Sequence, residues 1–420
     1  MSMQALSPHI QPERLWDDLM ELGTLTDPGQ PYTRRSFSPR FLEGREWLRH
    51  RFEQAGLACR IDAAGNLIGR RGAQSPDART IMTGSHSDTV PGGGRFDGIL
   101  GVLAGLEIAR AMRDAGVTLA HHFEVTDFLA EEPSEFGLSC IGSRGMTDCL
   151  TPQHLALQAP WGETLAAAID RMGGDASRLS HAQRHDIAAF MELHIEQGIV
   201  LEREGTEIGI VEAIVGVTRI EVIFSGRADH AGTTPMDCRC DAMVAAAGLI
   251  TAVSHLARDA ARAGRGHVTA TCGIVEVLPN ASNVIPRQAR LVIDIRVSER
   301  DACERLLARL RAVATEQAVA CDVTLARFEI QSDSPPVACS PVLAGRLEAA
   351  AGALGLSSRR MVSGAGHDAA FIARVAPSAM VFIPCRDGRS HDPEEWITAH
   401  DAANGTRVLA DAIMATDASS

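Results

Sequence analysis

The sequence predicts an α/β protein with a smaller α+β domain inserted into it. Up to about residue 212, helical patterns alternate with short apolar segments, which is typical of a sheet with helices on both faces. Segments in residues 213–328 follow the order β-α-β-β-α-β, as in a ferredoxin-like unit. The first pattern returns from residue 329, and 420 residues are too many for one ordinary core. We therefore expect a larger domain of residues 1–212 and 329–420 around an inserted domain of residues 213–328.

Periodicity predicts the elements of the larger domain. Apolar residues recur at helical spacing in residues 39–56 and 98–116, and the second of these helices ends at a glycine. Short apolar runs predict its strands, which are residues 79–84, 121–132, 186–198 and 378–385.

The inserted domain has a different pattern. Residues 217–228 alternate apolar and polar side chains, as a half-exposed strand does. The remaining expected elements are a helix over residues 240–260, strands over 267–279 and 289–299, and a helix over 300–318.

Composition excludes several classes of function. A net charge of -13 does not suit a nucleic-acid-binding protein, because phosphate contacts need a basic surface. No apolar run approaches the roughly 20 residues of a membrane helix, and the N-terminal residues do not resemble a secretory signal. The ten cysteines form no CxxC pair and are expected to be reduced. We therefore expect a cytoplasmic protein that binds neither nucleic acid nor membranes.

The glycine-rich stretch Gly84–Val102, GSHSDTVPGGGRFDGILGV, has three possible interpretations. A phosphate loop is disfavoured because the stretch lacks both GK[ST] and GxGxxG. Taken alone, it is typical of a glycine turn with solvated aspartates. The third interpretation is half of a metal site, because His86 and Asp97 lie within it.

Similar polar residues occur at or near the ends of other predicted strands. Glu131 and Glu132 end one strand, His194 lies within another, and His391 follows a third. Each has an ordinary interpretation alone: a solvated glutamate pair, or a core histidine. Together with His86 and Asp97, however, they lie where open α/β sheets form their sites. Imidazole and carboxylate groups without thiolate suit zinc, manganese, cobalt or nickel. The six side chains would supply five ligands for two metals and leave one carboxylate free to act as a base.

Seven motifs, in order along nearly the whole chain, resemble one known family. They are HSDTVPGGGRFDG, EEPSEFG, ELHIEQG, ADHAGTTPMDCRCDA, SNVIPRQARLVIDIR, SGAGHDA and SHDPEEW. The chain resembles the hydantoinase/carbamoylase-type amidohydrolases of the M20 metallopeptidase clan. This resemblance implies a zinc-peptidase-like, three-layer αβα catalytic domain and an inserted ferredoxin-like domain that dimerises and acts as a lid.

The resemblance also implies residue roles. Two divalent ions, zinc or else manganese, cobalt or nickel, would be held by the ligands His86, Asp97, Glu132, His194 and His391, with Asp97 as the bridge. Glu131 would be the general base that takes a proton from the attacking water, and Asp88 would orient His86. In the inserted domain, His230 would stabilise the oxyanion, while Asn283 and Arg296 would bind the substrate carboxylate, partly across a homodimer. Gln197 would lie near the ureido group.

The implied reaction is hydrolysis of a C–N bond in a small N-carbamoyl acid, with an N-carbamoyl-L-amino acid as the first candidate. Allantoate amidohydrolase and β-ureidopropionase are the alternatives, since the same ligands serve each. A dipeptidase of the clan is disfavoured by HIEQG, and a non-catalytic binding protein by the presence of Glu131 and all five ligands. Arg389, Asp392 and Arg287 depart from the family pattern. Arg389 would either favour a more anionic substrate or point to solvent.

Overall fold

Helices and strands alternate along the chain largely as the sequence predicts. A computed structural model of the protein describes residues 5–264 and 266–419. The helices are α1 (Pro12–Gly23), α2 (Pro39–Gln54), α3 (Ile99–Asp114), α4 (Ile141–Met146), α5 (Pro152–Leu155), α6 (Leu165–Arg171), α7 (Val200–Glu204), α8 (Ala242–Arg262), α9 (Arg300–Ala320), α10 (Pro341–Ala353), α11 (Ala369–Ile372) and α12 (Ala399–Asp417). The strands are β1 (Ala58–Ile61), β2 (Leu67–Arg71), β3 (Thr80–His86), β4 (His122–Phe128), β5 (Ile187–Ile195), β6 (Ile208–Ile214), β7 (Gly216–Ser225), β8 (Val268–Leu278), β9 (Gln288–Val297), β10 (Thr324–Ser334), β11 (Val337–Ala338), β12 (Ser358–Ser363) and β13 (Ser378–Ile383).

The chain divides into two compact units. The first comprises Met1–Glu212, Cys339–Met361 and His367–Ser420, and the second comprises Ala213–Ala338 and Val362–Gly366. No helix in the described ranges, 5–264 and 266–419, is long and apolar enough to span a bilayer.

The first unit is built on a mixed sheet with a parallel centre. Its strands run in the order β1-β2-β4-β3-β5-β13-β6, and the short strands β11 and β12 also pair with β6. Strands β4, β3, β5 and β13 are parallel neighbours. Every residue of β3, β4 and β13 is buried, and side chains of α1, α3, α10 and α12 share one apolar core cluster with the sheet. The predicted α/β class is thus confirmed, and the carboxyl ends of four parallel strands share one edge.

The second unit has the predicted β-α-β-β-α-β order. Its antiparallel strands lie in the order β10-β7-β9-β8, and α8 and α9 share a core with them. Burial alternates residue by residue along β9, because one face packs on that core. The unit continues beyond Glu329 because β10 pairs with β7 along its length.

Candidate active site

The parallel strands carry the predicted ligands to one edge of the sheet. His86 is the last residue of β3, and His194 is the second-last residue of β5. Glu131 and Glu132 follow the end of β4 by three and four positions. His391 also follows the end of a strand, β13, but after a longer loop. The structure therefore brings together side chains that are more than 300 positions apart in sequence, such as His86 and His391.

Two groups of side chains could each hold a metal ion, and Asp97 belongs to both. In the first group, Asp97 Oδ1 lies 3.6 Å from His86 Nε2 and 3.2 Å from His194 Nε2. In the second, the other oxygen, Asp97 Oδ2, lies 3.3 Å from His391 Nε2, which is also 3.0 Å from Glu132 Oε1. The two oxygens of one carboxylate thus face two sets of ligands, as a carboxylate shared by two ions requires.

Burial and charge make this cluster suitable for cations. Burial raises the pKa of Glu131 well above its ordinary value. Burial opposes protonation of His86, but the surrounding carboxylates, Glu131 foremost, raise its pKa well above the ordinary value. Hydrogen bonds with Asp97 and Glu132 raise the pKa of His391 to about 10. Buried carboxylates are costly unless a cation balances them, and imidazole with carboxylate is a donor set that zinc, manganese, cobalt and nickel accept.

Asp88 supports the site through the main chain. Its two carboxylate oxygens accept hydrogen bonds from the backbone N–H groups of Glu131 and Glu132, each at 3.2 Å. His86 Nδ1 lies 3.0 Å from the carbonyl oxygen of Asp88 and 3.6 Å from its carboxylate. The main chain of Asp88 therefore orients His86, while its side chain fixes the turn that carries the two glutamates.

Gly98 shows why the stretch Gly84–Val102 needs glycine. It has a φ of +70°, and a Cβ placed there would lie 2.4 Å from Cε1 and Nε2 of the His86 ring. Glycine alone avoids both the backbone strain and the collision. It lets α3 begin directly against His86, so the stretch packs into the buried cluster and is not a solvated turn.

The sequence motifs contained further site residues whose position only the structure reveals. Glu192 and His367 form a third buried group with His194, and the His367 and His194 rings are 4.7 Å apart. Near the carboxylate that the two groups share, Glu395 and Ser390 form hydrogen bonds to the Asp97 backbone and side chain respectively. The signal for all four was their presence in ELHIEQG, SGAGHDA and SHDPEEW, but those motifs do not reveal burial.

Known proteins are similar to this chain along nearly its whole length. The sequence pattern of Peptidase family M20/M25/M40 matches residues 82–415. The chain belongs to this family. An N-carbamoyl-L-amino acid amidohydrolase of Geobacillus stearothermophilus is 39% identical over 95% of this chain and 97% of its own length. An allantoate amidohydrolase of Bacillus subtilis (strain 168) is 33% identical over 94% of each chain. The crystal structure of an amidase of the hydantoinase/carbamoylase family from Burkholderia multivorans matches with a TM-score of 0.89 at 34% identity, covering 97% of this chain and 98% of that one.

In the second unit of this M20 protein, His230 and Asn283 lie on adjoining segments. The backbone N–H of Ala231 donates to the Asn283 carbonyl at 3.0 Å, and His230 forms an isolated bridge with Val284. His230 Nδ1 accepts hydrogen bonds from two backbone N–H groups, of Gly232 and the next residue, at 3.0 and 3.2 Å. In the neutral ring the proton is therefore on Nε2, and the exposed side chain presents a hydrogen-bond donor.

Arg296 and Gln197 both have partners inside their own unit. Arg296 Nε donates to Asp294 Oδ1 at 2.9 Å, and Nη1 donates to the Gly364 carbonyl at 3.0 Å. Arg296 thus forms a salt bridge with Asp294 in the same unit, and this contact orients a guanidinium that stays about one-third exposed. In the first unit, Gln197 Nε2 donates to Asp97 Oδ2 at 2.6 Å.

The departures from the family pattern lie on the surface. Arg389 forms an ion pair with Glu394 in its own loop, so its charge is balanced locally. Asp392 accepts a hydrogen bond from the Glu394 backbone at 2.8 Å. Arg287 is exposed, and its backbone N–H donates to the Leu278 carbonyl. These contacts explain how the fold accommodates the three residues without the loss of a ligand.

Proposed function

We propose that this chain is a metal-dependent amidohydrolase that hydrolyses the C–N bond of an N-carbamoyl-L-amino acid, with two divalent ions per subunit. The observation that carries the proposal is the position of Asp97, whose two oxygens face two separate sets of ligands. The sequence similarity to an N-carbamoyl-L-amino acid amidohydrolase, over almost the full length of both chains, supports the same reaction.

The chain's own residues would have the following roles at the metal site. His86, Asp97 and His194 would hold one ion, and Asp97, Glu132 and His391 the other. Zinc, manganese, cobalt or nickel at such a site supplies Lewis acidity, which makes water more acidic and polarises a carbonyl.

Glu131 is the side chain left to move protons. It belongs to neither ligand group, and its Oε2 lies 3.6 Å from His86 Nε2. We assign it as the base that takes a proton from the attacking water and delivers it to the leaving nitrogen. The water oxygen bonds to the carbamoyl carbon, and the bond from that carbon to the amino-acid nitrogen breaks as this nitrogen takes the proton, which frees the amino acid and carbamic acid. Carbamic acid then breaks its remaining C–N bond and decomposes to ammonia and carbon dioxide.

The second unit would supply the substrate-binding groups. His230 presents an Nε2–H, which suits a developing oxyanion. Arg296, oriented by Asp294, suits a planar carboxylate, and Asn283 adjoins His230 through the backbone. In the first unit, Gln197 would contact the ureido group.

We also propose a homodimer formed through the second unit, which would act as a lid. Strand β8 is an edge of its sheet and exposes Ile274, Val275 and Leu278, each about half accessible. Exposed apolar edge strands pair with other chains unless they are covered. Replacing Val275 with aspartate is expected to shift the mass in sedimentation analysis from dimer to monomer.

We place the enzyme in the cytoplasm, where its ten free thiols would stay reduced.

A panel of substrates tests the reaction. Ammonia release would be measured from N-carbamoyl-L-amino acids, N-carbamoyl-β-alanine and allantoate. The proposal expects the highest kcat/KM with an N-carbamoyl-L-amino acid. A preference for allantoate would assign the alternative favoured by the Bacillus subtilis relative, and a preference for N-carbamoyl-β-alanine would assign β-ureidopropionase. Hydrolysis of dipeptides alone would contradict the proposal.

The variant Glu131→Gln tests the base. We expect kcat to fall about 10²- to 10⁴-fold, the usual contribution of general acid–base catalysis, with metal content unchanged. The matched control is Glu135→Gln in the same motif, because Glu135 is exposed and pairs with Arg35. Near-normal turnover by Glu131→Gln would refute the assignment.

A further inference from the structure

We infer that Glu395 is a positioning residue for both halves of the metal site, acting through Asp97 and Ser390. The inference rests on the proposed two-metal function. Glu395 belongs to no ligand group and is 1% exposed. A carboxylate buried this deeply must be satisfied by specific hydrogen bonds, and those bonds show what it holds.

One oxygen of Glu395 fixes the main chain at the shared ligand. Glu395 Oε1 accepts hydrogen bonds from the backbone N–H of Phe96 at 2.7 Å and of Asp97 at 3.1 Å. These two bonds set the position from which the Asp97 side chain reaches toward the histidines. Two consecutive backbone N–H groups bound to one buried oxygen restrain this part of the loop.

The other oxygen connects to the residue before His391. Glu395 Oε2 lies 3.2 Å from Ser390 Oγ, and the same hydroxyl lies 2.5 Å from Asp97 Oδ2. A hydroxyl has only one hydrogen, so it can donate to one of these two carboxylates at a time. Ser390 therefore lies between the positioning carboxylate and the bridging carboxylate, directly beside a ligand of the second group.

The glycine run provides an independent observation. A Cβ at Gly94 would lie 2.0 Å from the carboxyl carbon of Glu395, and its three nearest atoms all belong to that carboxylate. Unlike Gly98, Gly94 does not have a positive φ, so its backbone would accept alanine. The glycine at this position makes room for Glu395, which links the first motif of the site to the last.

Metal affinity tests the inference without relying on turnover. Dissociation constants for zinc would be measured by chelator competition on the full-length protein, beside the melting temperature of the metal-free form. Glu395→Ala is expected to weaken zinc binding about 10- to 100-fold, the usual effect of losing a partner behind a ligand. Glu395→Gln should recover most of this loss, because an amide oxygen still accepts both backbone bonds and its NH₂ can donate to Ser390.

Glu394→Ala is the matched control. It removes the same charge from the neighbouring position, but Glu394 is exposed and pairs with Arg389. We expect its zinc affinity to stay within about twofold of the wild-type value, in line with the small effect of a surface ion pair.

A double-mutant cycle with Gly94→Ala isolates the contact. Alone, Gly94→Ala should displace the Glu395 carboxylate and weaken zinc binding. Combined with Glu395→Ala it should add little, because the group that the new methyl meets is gone. If Glu395→Ala does not fold, the comparison of Gly94→Ala with Glu394→Ala still decides the matter.

Three results would overturn the inference. The first is wild-type zinc affinity in Glu395→Ala, or in Gly94→Ala where the former does not fold. The second is a lowered melting temperature with unchanged zinc affinity, which would show a purely structural role. The third is a loss of zinc affinity in Glu395→Gln as large as that in Glu395→Ala, which would assign the effect to the charge of Glu395 and not to its hydrogen bonds. If the wild-type chain binds no metal, the proposed function fails and this inference fails with it. If the wild-type chain binds zinc and the variants bind it equally well, only this inference fails and the proposed function stands.

Discussion

Replacing Gly98 with alanine would press a methyl group against the ring of His86, a proposed metal ligand. The new Cβ would lie 2.4 Å from Cε1 and Nε2 of His86, whereas carbon atoms pack best at about 3.5–4.0 Å. The His86 ring would have to move by at least about 1 Å to restore that separation. It is 1% exposed and held through Nδ1, so it cannot move without breaking that contact.

Gly92 provides a control that also has a positive φ but no collision. Its φ is +62°, close to the +70° of Gly98, but a Cβ there would meet nothing within 4 Å. A non-glycine residue at such a positive φ costs about 1–3 kcal/mol at either position. Overpacking adds about 1–3 kcal/mol at Gly98 alone. We therefore expect a loss of unfolding free energy of about 2–6 kcal/mol for Gly98→Ala against about 1–3 kcal/mol for Gly92→Ala.

Two measurements separate strain from collision. Urea unfolding of the metal-free proteins gives the stability difference, and chelator competition gives the zinc affinity. Gly92→Ala should bind zinc as the wild type does, while Gly98→Ala should bind at least about tenfold more weakly because its ligand is displaced. Equal stability and equal zinc affinity in the two variants would refute the reasoning.

Three further changes have expected outcomes. Asp97→Ala should lower the number of bound metal ions on elemental analysis, because both groups use this side chain; unchanged stoichiometry would contradict a shared ligand. Arg45→Ala leaves the buried Asp127 carboxylate without its ion pair and should cost about 3–5 kcal/mol of unfolding free energy, whereas Arg49→Ala, in an exposed pair, should change the stability far less. Burial, with a smaller contribution from a nearby glutamate, raises the pKa of the Cys59 thiol to about 11. Only the thiolate reacts, so its alkylation, followed by peptide mass spectrometry, should speed up about tenfold per pH unit from pH 8 to 10; a plateau below pH 9 would contradict this.

Local pattern predicted the elements well because their periodicity reflects burial. The buried strand β3 and the helix α3 lie within two residues of their expected bounds. The alternation in residues 217–228 likewise predicted a strand with one buried face, and β7 lies there. The end of the inserted unit was less predictable, because β10 joins its sheet by pairing with the distant strand β7, which local pattern does not reveal.

The donor groups of the proposed metal site were also predicted from the sequence, since imidazole and carboxylate are groups that zinc and similar ions accept. Their assembly required the fold. His391 reaches the other members of the cluster because β13 pairs in parallel with β5, almost 200 positions earlier in the chain. The sequence left two interpretations of Arg389, and its ion pair with Glu394 shows where its charge is balanced.

The adjacent glutamates 394 and 395 separate the two sources of information. In the sequence they are chemically identical, and the motif SHDPEEW alone does not distinguish them. In the structure Glu394 is two-thirds exposed, while Glu395 is buried against the backbone of Asp97. The sequence by itself determined the α/β class, the inserted unit and the donor chemistry, because these depend on local periodicity and side-chain type. Which carboxylate is buried, which accepts hydrogen bonds from the main chain and which faces solvent was decided by the tertiary structure, because burial and hydrogen bonding depend on segments that meet only when the chain folds.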